Sequence, residues 1–348
     1  MILLACQLGL GDEPRPAFSA SEPAPRKARV VVAESAGATM AFVAQAAVVD
    51  RMLDRGLQRW TGKDTVSAGW RSLVGGNDVV GIKVYSSPGE IIGSRHAVVQ
   101  AVVNGLLRAG IGADRIIIWD KFYGDLRRAG FVELGRKLGV RVAGAAEAGW
   151  DENATYESSL VGKPVWGDFE FGRKGPEVGR RSFYSRLPTR EVTRHIVISP
   201  LLNHNLAGVT GNLMSLALGS VDNAIRFQTR PAAMAEAVPE IFGRPELFDH
   251  LALVIVDALI CQYQGEESNR LHYAVMLNQL RFSNDPVALD ILSLIELEKQ
   301  RRGAGLPPRH FPQDLYRNAA LLELGVADPR RVLVERVAAD DGQSVRRD

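Results

Sequence analysis

Short apolar strands alternate with amphipathic helices along most of this 348-residue chain. The run Ala28–Glu34 is rich in β-branched residues and is predicted to form the first strand. Later apolar runs end in a carboxylate at Asp120 and at Asp257, and a helix closed by Gly139 is predicted over Tyr123–Leu138. Because parallel strands need a crossover connection, this rhythm predicts an α/β fold with a mostly parallel sheet and helices on both faces.

The alternation is interrupted between about residues 150 and 190, where glycine, arginine and proline are frequent. We expect an irregular β excursion over the surface there. The strand and helix pattern then resumes and continues almost to the end of the chain. We therefore expect a single α/β domain over residues 28–338, with an N-terminal tail at 1–27 and a C-terminal tail at 339–348.

Charge and cysteine content exclude several classes of protein. The chain has 42 Lys and Arg against 40 Asp and Glu, for a net charge of +2, so it lacks the basic surface of a nucleic-acid-binding protein. Its two cysteines, Cys6 and Cys261, are too few for an iron–sulfur cluster held by four thiolates or for a Cys-rich zinc site. No segment approaches the roughly 20 apolar residues that span a bilayer as a helix.

The N-terminus has two interpretations. Leu3-Leu4-Ala5-Cys6 resembles the end of a bacterial lipoprotein signal, and the Ala/Pro/Ser-rich stretch from Pro14 to Pro25 could act as a tether. The segment before Cys6 has no basic residue and is shorter than the roughly 7–15 apolar residues of an export signal. The lipoprotein-like boundary favours an exported, periplasmic protein, and a cytoplasmic protein with a frayed tail is the alternative.

The segment 199–223 carries the strongest functional signal. A buried strand predicted over His195–Ser199 stops at a proline, and the polar loop Asn203–Asn205 follows. Gly208 and Gly211 then bracket a turn that leads into a helix. Ligands of open α/β sheets bind just beyond the carboxyl ends of the strands, where this loop is expected to lie. The first N–H groups of the helix are expected to be unpaired and able to bind a carboxylate or phosphate.

Three side chains are candidates for catalysis. His204 is the group in the loop that titrates near neutral pH, which suits a general base. Lys83 lies in an otherwise apolar strand, where a buried lysine must be paired or have a lowered pKa, so it is a second candidate base or an anion contact. Asp120, at a strand end, completes the set. The candidate substrate-binding residues are Asn203, Asn205, Thr210, Gly211 and Asn212.

Two further aspartates are candidate metal ligands. Asp257 ends an apolar strand, and Asp290 lies inside an apolar helix just over one turn after the predicted N-cap Asp285. Together with His204, such oxygen ligands could hold a divalent metal such as Mg²⁺, Mn²⁺ or Zn²⁺. The alternative for these aspartates is a structural role at the end of a strand or helix.

Several of these segments occur together in a characteristic order. They are Val-Gly-Ile-Lys-Val at 80–84, Asn-His-Asn-Leu-Ala-Gly-Val-Thr-Gly at 203–211, Leu-Gly-Ser-Val-Asp-Asn at 218–223 and Ser-Asn-Asp-Pro-Val-Ala-Leu-Asp at 283–290. This order resembles the bacterial and archaeal family called domain of unknown function 362. The resemblance implies an α/β fold without a settled activity. Some members of that family are fused to ferredoxin-like modules, so the resemblance also implies a ferredoxin-like partner.

The chain departs from this family's pattern at two places. Leu202 stands where the family usually has a lysine, two residues before the loop histidine. Met214-Ser215 stands where the family usually has Lys-Asn in the following helix. Two cationic groups are therefore missing, so the resemblance implies either a less anionic substrate or an altered chemistry.

The residues support two functional hypotheses. The first is an enzyme acting on a small anionic or polyhydroxylated substrate by acid–base chemistry, with or without a divalent metal. The second is a solute-binding or accessory protein, associated with electron transfer, without catalysis of its own. The motifs of serine hydrolases, P-loop proteins and zinc metalloproteases are absent. The enzyme hypothesis expects four side chains to converge in one pocket: Lys83, Asp120, His204 and Asp257.

Overall fold

The computed structural model describes residues 26–309 and 313–339. The strands are β1 (Ala28–Glu34), β2 (Thr39–Met40), β3 (Val43–Ala44), β4 (Val80–Val84), β5 (Ile116–Asp120), β6 (Arg141–Gly144), β7 (Trp150–Glu157), β8 (Arg181–Ser185), β9 (Arg194–His204), β10 (Gly208–Val209), β11 (Leu251–Gln262), β12 (Ala274–Ser283) and β13 (Val332–Ala338). The α-helices are α1 (Ala46–Thr61), α2 (Val66–Leu73), α3 (His96–Arg108), α4 (Tyr123–Arg128), α5 (Phe131–Leu138), α6 (Asn212–Gly219), α7 (Pro231–Phe242), α8 (Pro245–Phe248), α9 (Pro286–Gly303) and α10 (Gln313–Leu321).

The central sheet is mostly parallel. Its strands follow the order β13-β1-β12-β11-β9-β4-β5-β6, and β10 is added to β9 as a short antiparallel hairpin. Along that order only β12 is reversed, because it runs antiparallel to both β1 and β11. The other neighbouring pairs are parallel. The predicted α/β fold with a mostly parallel sheet is confirmed.

Helices cover both faces of this sheet, and successive residues of each strand point to opposite faces. On one face, Ile82 and Ile118 pack with the buried sides of α1, α2, α3 and α5. On the other face, Trp119 and Val197 pack with α6, α7, α9 and α10. Lys83 pairs in register with both Trp119 and Val197, so it points to this second face.

The segment between about residues 150 and 190 leaves the central sheet, as predicted. Its ends form β7 and β8, a separate antiparallel pair. The connection between them is held through its main chain. Asp222 accepts a hydrogen bond from the N–H of Phe169 at 2.7 Å, and Arg226 Nη1 donates to the carbonyl groups of Leu160 at 2.6 Å and Gly179 at 2.9 Å.

In the described part of the chain, no helix is both long and apolar enough to cross a bilayer. The lipoprotein-like boundary at residues 3–6 lies outside the described residues.

The strand that leads to the polar loop is longer than predicted. It was expected to end at Ser199, but β9 continues through Pro200 to His204. Its pairing with β4 ends at Ile198, so Pro200 lies where β9 has a neighbouring strand of the central sheet on one side only. A missing N–H is tolerated at such an edge-like position.

The prediction of a single helix over Tyr123–Leu138 is wrong. The segment forms two helices, α4 and α5, separated at Gly130. Gly130 has a φ of 78°, a left-handed conformation that an α-helix cannot contain. The apolar periodicity continues across the break, which is why the sequence suggested one helix.

Gly56 allows α1 to approach β12 closely. A Cβ at this position would lie 2.2 Å from Cε2 of the buried Phe282 ring. We expect Gly56→Ala to lower the free energy of unfolding by about 1–3 kcal/mol through overpacking, measured by urea denaturation. Gly37→Ala is the matched control, because a Cβ at Gly37 meets no atom within 4 Å. Equal effects of the two substitutions would contradict this prediction.

Candidate functional site

Lys83 and Asp120 form a buried ion pair at the carboxyl ends of β4 and β5. Lys83 Nζ lies 2.8 Å from Asp120 Oδ1, and the two side chains are 1% and 8% exposed. Nζ also donates to the carbonyl oxygen of Val84 at 2.8 Å and to Ser215 Oγ of α6 at 2.9 Å. The three N–H bonds of the ammonium group therefore all have partners inside the protein.

The carboxylate of Asp120 is equally well satisfied. Its Oδ2 accepts from the backbone N–H of Ser86 at 2.8 Å and from Ser86 Oγ at 2.7 Å, and its Oδ1 accepts from the N–H of Lys121 at 2.7 Å. These bonds tie the end of β5 to the residues that follow β4. Proton transfer by Lys83 or Asp120 would first have to break one of them.

Lys121 follows Asp120 and contacts α6. Its Nζ donates to the carbonyl oxygen of Leu218 at 3.3 Å. Burial lowers the pKa of Lys121 to about 8, although the carboxylates of Asp168 and Asp222 favour its charged form. Both carboxylates bind main-chain N–H groups, Asp222 that of Phe169 and Asp168 that of Asn223. The contacts of Asp168 and Asp222 anchor the excursion to the segment that follows α6.

His204 closes the turn after β9. Its Nδ1 accepts hydrogen bonds from the N–H groups of Leu206 at 3.2 Å and Ala207 at 3.1 Å. These contacts assign the ring proton to Nε2, so the neutral imidazole presents a donor there. Burial lowers the pKa of His204 despite the nearby carboxylates of Glu266 and Glu267. In this state His204 suits hydrogen-bond donation better than proton abstraction, because protonation would displace the two N–H groups from Nδ1.

The N–H groups at the start of α6 are paired, contrary to expectation. Asp290 Oδ1 accepts from the N–H of Asn212 at 2.9 Å and from Asn212 Nδ2 at 2.7 Å, and Asp290 Oδ2 accepts from the N–H of Leu213 at 3.2 Å. The N–H of Thr210 donates to the carbonyl oxygen of Leu202 at 2.8 Å. The helix N-terminus therefore already has an acceptor, the carboxyl group of Asp290 on α9.

Gly211 separates the turn from this carboxylate. Its φ is 65°, and a Cβ there would lie 2.7 Å from Asp290 Oδ2. Burial raises the pKa of Asp290 to about 7. Gly211, the start of α6 and Asp290 therefore pack directly against one another, and a side chain at position 211 would clash with Asp290.

Asp257 points away from the Lys83 face of the sheet. It is fully buried, and its neighbour Val256 belongs to the core on the Lys83 face, so the Asp257 side chain lies on the opposite face. Its Oδ1 lies 2.9 Å from Arg95 Nη1, and its Oδ2 accepts from the N–H of Arg95 at 3.1 Å. The predicted convergence of Asp257 with Lys83 is therefore wrong.

The candidate metal ligands have separate partners. Asp257 is paired with Arg95, and Asp290 binds the start of α6. Within residues 26–309 and 313–339, no group of three or more His, Cys, Asp or Glu side chains is arranged to hold a metal ion. The residues proposed from the sequence thus do not assemble a metal centre among the described residues.

A cavity of about 420 Å³ opens beside the Asn203–Asn205 loop. It lies between this loop, the turn that follows β11, and the end of α9 with the segment after it. Its lining is mostly polar and charged and comprises Asn203, Asn205, Gln264, Gly265, Glu266, Arg301, Pro308 and Arg309.

A hydrogen bond joins Asn203 and Glu266 in the lining of this cavity. Asn203 is 2% exposed, and its Oδ1 accepts from the N–H of Glu266 at 3.0 Å. Its buried Nδ2 has no hydrogen-bond partner within the described residues. Glu266 has a φ of 51°, and its Oε1 accepts from the N–H of Asn205 at 2.5 Å. Left-handed backbone at a residue other than glycine costs free energy and is found often at functional sites.

Two arginines supply the positive charge. Arg301 donates from Nη1 to Gln264 Oε1 at 2.9 Å and from Nη2 to the carbonyl oxygen of Pro307 at 3.0 Å. Its buried Nε makes no hydrogen bond within the described residues. Arg309 donates to Asn205 Oδ1. Burial and the neighbouring charge of Arg301 lower the pKa of Arg309, so the two guanidinium groups repel each other.

This cavity lies near the topological switch point of the sheet, where the connections from two neighbouring strands lead in opposite directions. The crossover after β4 leads to β5 on one side, and the connection after β9 leads to β11 on the other. Open α/β sheets bind ligands beyond the carboxyl ends of the strands at such a point. The turn after β11 extends over it, since Glu267 accepts hydrogen bonds from Tyr85 Oη and, at 3.1 Å, from Ser87 Oγ.

A larger groove, of about 1520 Å³, runs between α9 and α10. Arg26 and Arg331 line it; Arg26 lies two residues before β1, and Arg331 directly precedes β13. The groove therefore opens at the amino ends of the strands. The smaller cavity has the better position for chemistry, because it lies at the carboxyl ends.

The sequence interpretation missed Glu266, Arg301 and Arg309. Gly265-Glu266-Glu267 follows an apolar strand, the same signal that drew attention to Asp257. The two arginines gave no such signal, because one ends a long helix and the other lies in a proline-rich connection. The fold alone brings them to the polar loop.

Comparisons with known proteins add no family and no named activity. No family model matches the chain, and no curated protein matches it. The chain is similar to a protein from Thermotoga maritima whose crystal structure was solved by a structural-genomics consortium. The two share 12% sequence identity with a TM-score of 0.41, and the match covers 76% of this chain and 60% of that one. The present chain thus spans less than two thirds of that protein's length.

Proposed function

We propose that the protein is an enzyme that acts on a small anionic or polyhydroxylated substrate by acid–base chemistry, with or without a divalent metal. The cavity beside the Asn203–Asn205 loop is the proposed site. One observation supports this proposal above others. Two arginines, a glutamate in a strained conformation and a buried amide donor without a partner converge there, at the carboxyl edge of the sheet.

The geometry suggests a division of roles. Glu266 supplies a carboxylate that could accept a proton, and its position is fixed by Asn203 Oδ1 and the N–H of Asn205. His204 lies within electrostatic range of Glu266 and Arg309, and we assign it the role of a hydrogen-bond donor through Nε2–H. Lys83 and Asp120 then act as the support that fixes the ends of β4 and β5.

Proton abstraction can be tested without knowing the full reaction. The protein is incubated in D₂O with a panel of sugar phosphates, sugar acids and small hydroxy acids, and loss of C–H signals is followed by ¹H NMR. Glu266→Gln is expected to slow exchange of the active compound about a hundredfold or more, because it removes the base while keeping an acceptor for Asn205. Glu323→Gln, on an exposed turn, is the control. Unchanged exchange in Glu266→Gln would refute the assignment of the base.

The second candidate is a solute-binding protein without catalysis. The engagement of His204 Nδ1 by two N–H groups favours it, because the ring is then not available as a base. In that case the same NMR samples would show ligand binding, by line broadening, without C–H exchange. Exchange at a rate that depends on Glu266 would exclude this alternative.

We also propose that the chain belongs to the family it resembles, domain of unknown function 362. The order of its motifs along nearly the whole chain supports this proposal. A ferredoxin-like partner is proposed on the same resemblance. A pull-down with a purified ferredoxin, at low and high salt, would test that partnership directly.

A further inference from the structure

The cavity beside the Asn203–Asn205 loop carries an excess of positive charge. Among its described lining residues, Arg301 and Arg309 stand against a single acidic residue, Glu266. Glu298 approaches Arg301 Nε at 3.8 Å, but it also pairs with Arg302 at 2.9 Å and so cannot neutralise the cavity by itself. A ligand with one negative charge would balance the two guanidinium groups and Glu266.

Two buried donors in the same lining lack acceptors. They are Arg301 Nε and Asn203 Nδ2, and neither has a hydrogen-bond partner within the described residues. Leaving such donors buried and unpaired costs about 1–3 kcal/mol each. Both residues line the cavity, so a ligand gains affinity if it places an acceptor within reach of either donor.

The two donors prefer different acceptors, and this difference indicates which chemical groups the ligand should carry. A guanidinium group binds carboxylate oxygens through paired, charge-assisted hydrogen bonds. A neutral amide N–H₂ suits an uncharged acceptor such as a hydroxyl oxygen. Glu266 can in turn accept a hydrogen bond from a hydroxyl group, as an ionised carboxylate only accepts. A compound with a carboxylate next to hydroxyl groups satisfies all three.

We infer that the cavity binds a hydroxycarboxylate, with its carboxylate between Arg301 and Arg309 and a hydroxyl oxygen against Asn203 Nδ2. This inference rests on the proposed function and names the substrate class of the same site. Phosphate is the competing oxyanion. Its second negative charge at neutral pH would exceed the single positive charge of the lining.

Calorimetric titration of the full chain at neutral pH tests this inference. Glycerate and gluconate are the hydroxycarboxylate probes, with inorganic phosphate and glycerol as comparators. We expect both carboxylates to bind at least tenfold more tightly than phosphate, and glycerol not to bind. Asn203→Asp keeps the acceptor for the Glu266 N–H and replaces the amide donor by a carboxylate, so it should weaken glycerate binding at least tenfold.

Arg309→Gln should weaken glycerate binding by a similar factor. Arg309 lies in a half-buried connection, so the substitution leaves the core intact. Arg128→Gln is the matched control, because Arg128 is exposed on α4, pairs with Asp125 and does not line the cavity. Its affinity should stay within twofold of the wild type. Circular dichroism and the thermal midpoint confirm the fold of each variant.

Each outcome decides the inference. Phosphate binding as tight as glycerate binding, or unchanged glycerate binding in Arg309→Gln, would overturn it. Glycerate binding that depends on Arg309 but occurs without any C–H exchange would support the inference and refute the proposed catalysis. C–H exchange on a neutral sugar that is insensitive to Arg309 would leave the proposed function standing and overturn the inference.

Discussion

Replacing Asp120 with alanine is expected to lower the free energy of unfolding by about 3–5 kcal/mol. The substitution leaves the ammonium group of Lys83 buried, with only the Val84 carbonyl and Ser215 Oγ as partners. It also removes the acceptor that ties Ser86 to the end of β5. Urea denaturation followed by circular dichroism measures the loss.

A double-substitution cycle identifies the source of this loss. Lys83→Met and Asp120→Asn should each destabilise the protein, and the double variant should lose less than the sum of the two, because it leaves no unpaired charge. Asp125→Ala is the control at a surface pair, since Asp125 contacts the exposed Arg128. That change should cost less than about 1 kcal/mol. Equal losses of unfolding free energy for Asp120→Ala and Asp125→Ala would show that burial of the Lys83–Asp120 pair does not raise the cost of breaking it.

The stability that depends on Asp290 is expected to fall as the pH rises from about 4 to about 7. Burial raises the pKa of Asp290 to about 7 in the folded protein, whereas an unfolded aspartate has a pKa of about 3.9. The folded state therefore keeps a proton that the unfolded state has released. This contribution is fully present below about pH 4 and is lost through about pH 7, with a total on the order of 4 kcal/mol.

The measurement compares the wild type with Asp290→Asn by urea denaturation between about pH 4 and about pH 8. The wild type should lose stability relative to the variant over this range, because asparagine does not titrate. His195 has the opposite influence, since burial lowers its pKa to about 3, but both proteins contain it and its effect cancels. Asp64→Asn, on an exposed turn, is the control. A difference between wild type and Asp290→Asn that is independent of pH would contradict the prediction.

Local sequence patterns were sufficient to predict the architecture. The β-branched run Ala28–Glu34 is observed as β1 with the predicted bounds. Strand ends that carry Lys83 and Asp120 lie side by side because β4 and β5 are consecutive strands of a parallel sheet. The largely apolar character of β4 and β5, in which every residue is buried, reflects burial on both faces of the sheet, which makes strands of this kind easy to recognise.

The candidate site could not be predicted in the same way, because its contacts join distant segments. Asp290 binds Asn212 across 78 residues of sequence, so the sequence marked both residues as candidates but did not pair them with each other. Asp257 failed to join Lys83 because one residue of register decides the face of a strand on which a side chain lies. Arg309 meets Asn205 across 104 residues, a contact that no local pattern signals.

The way the excursion is held has a consequence for how this protein can evolve. Arg226, Asn223 and Asp222 hold the excursion by hydrogen bonds to its main-chain carbonyl and N–H groups. Every amino acid supplies the carbonyl group, and every amino acid except proline supplies the N–H group. Side chains such as the highly exposed Trp166 are therefore free to change without loosening the attachment. Three positions are exceptions. A Cβ at Gly179 would lie 2.0 Å from the carbonyl oxygen of Gly162, and a Cβ at Gly162 would lie 2.2 Å from Asn223 Oδ1. The Asp168 carboxylate accepts a hydrogen bond from the N–H of Asn223. Natural variation and selection for new surface recognition should thus accumulate in this segment, while its three anchoring residues stay fixed.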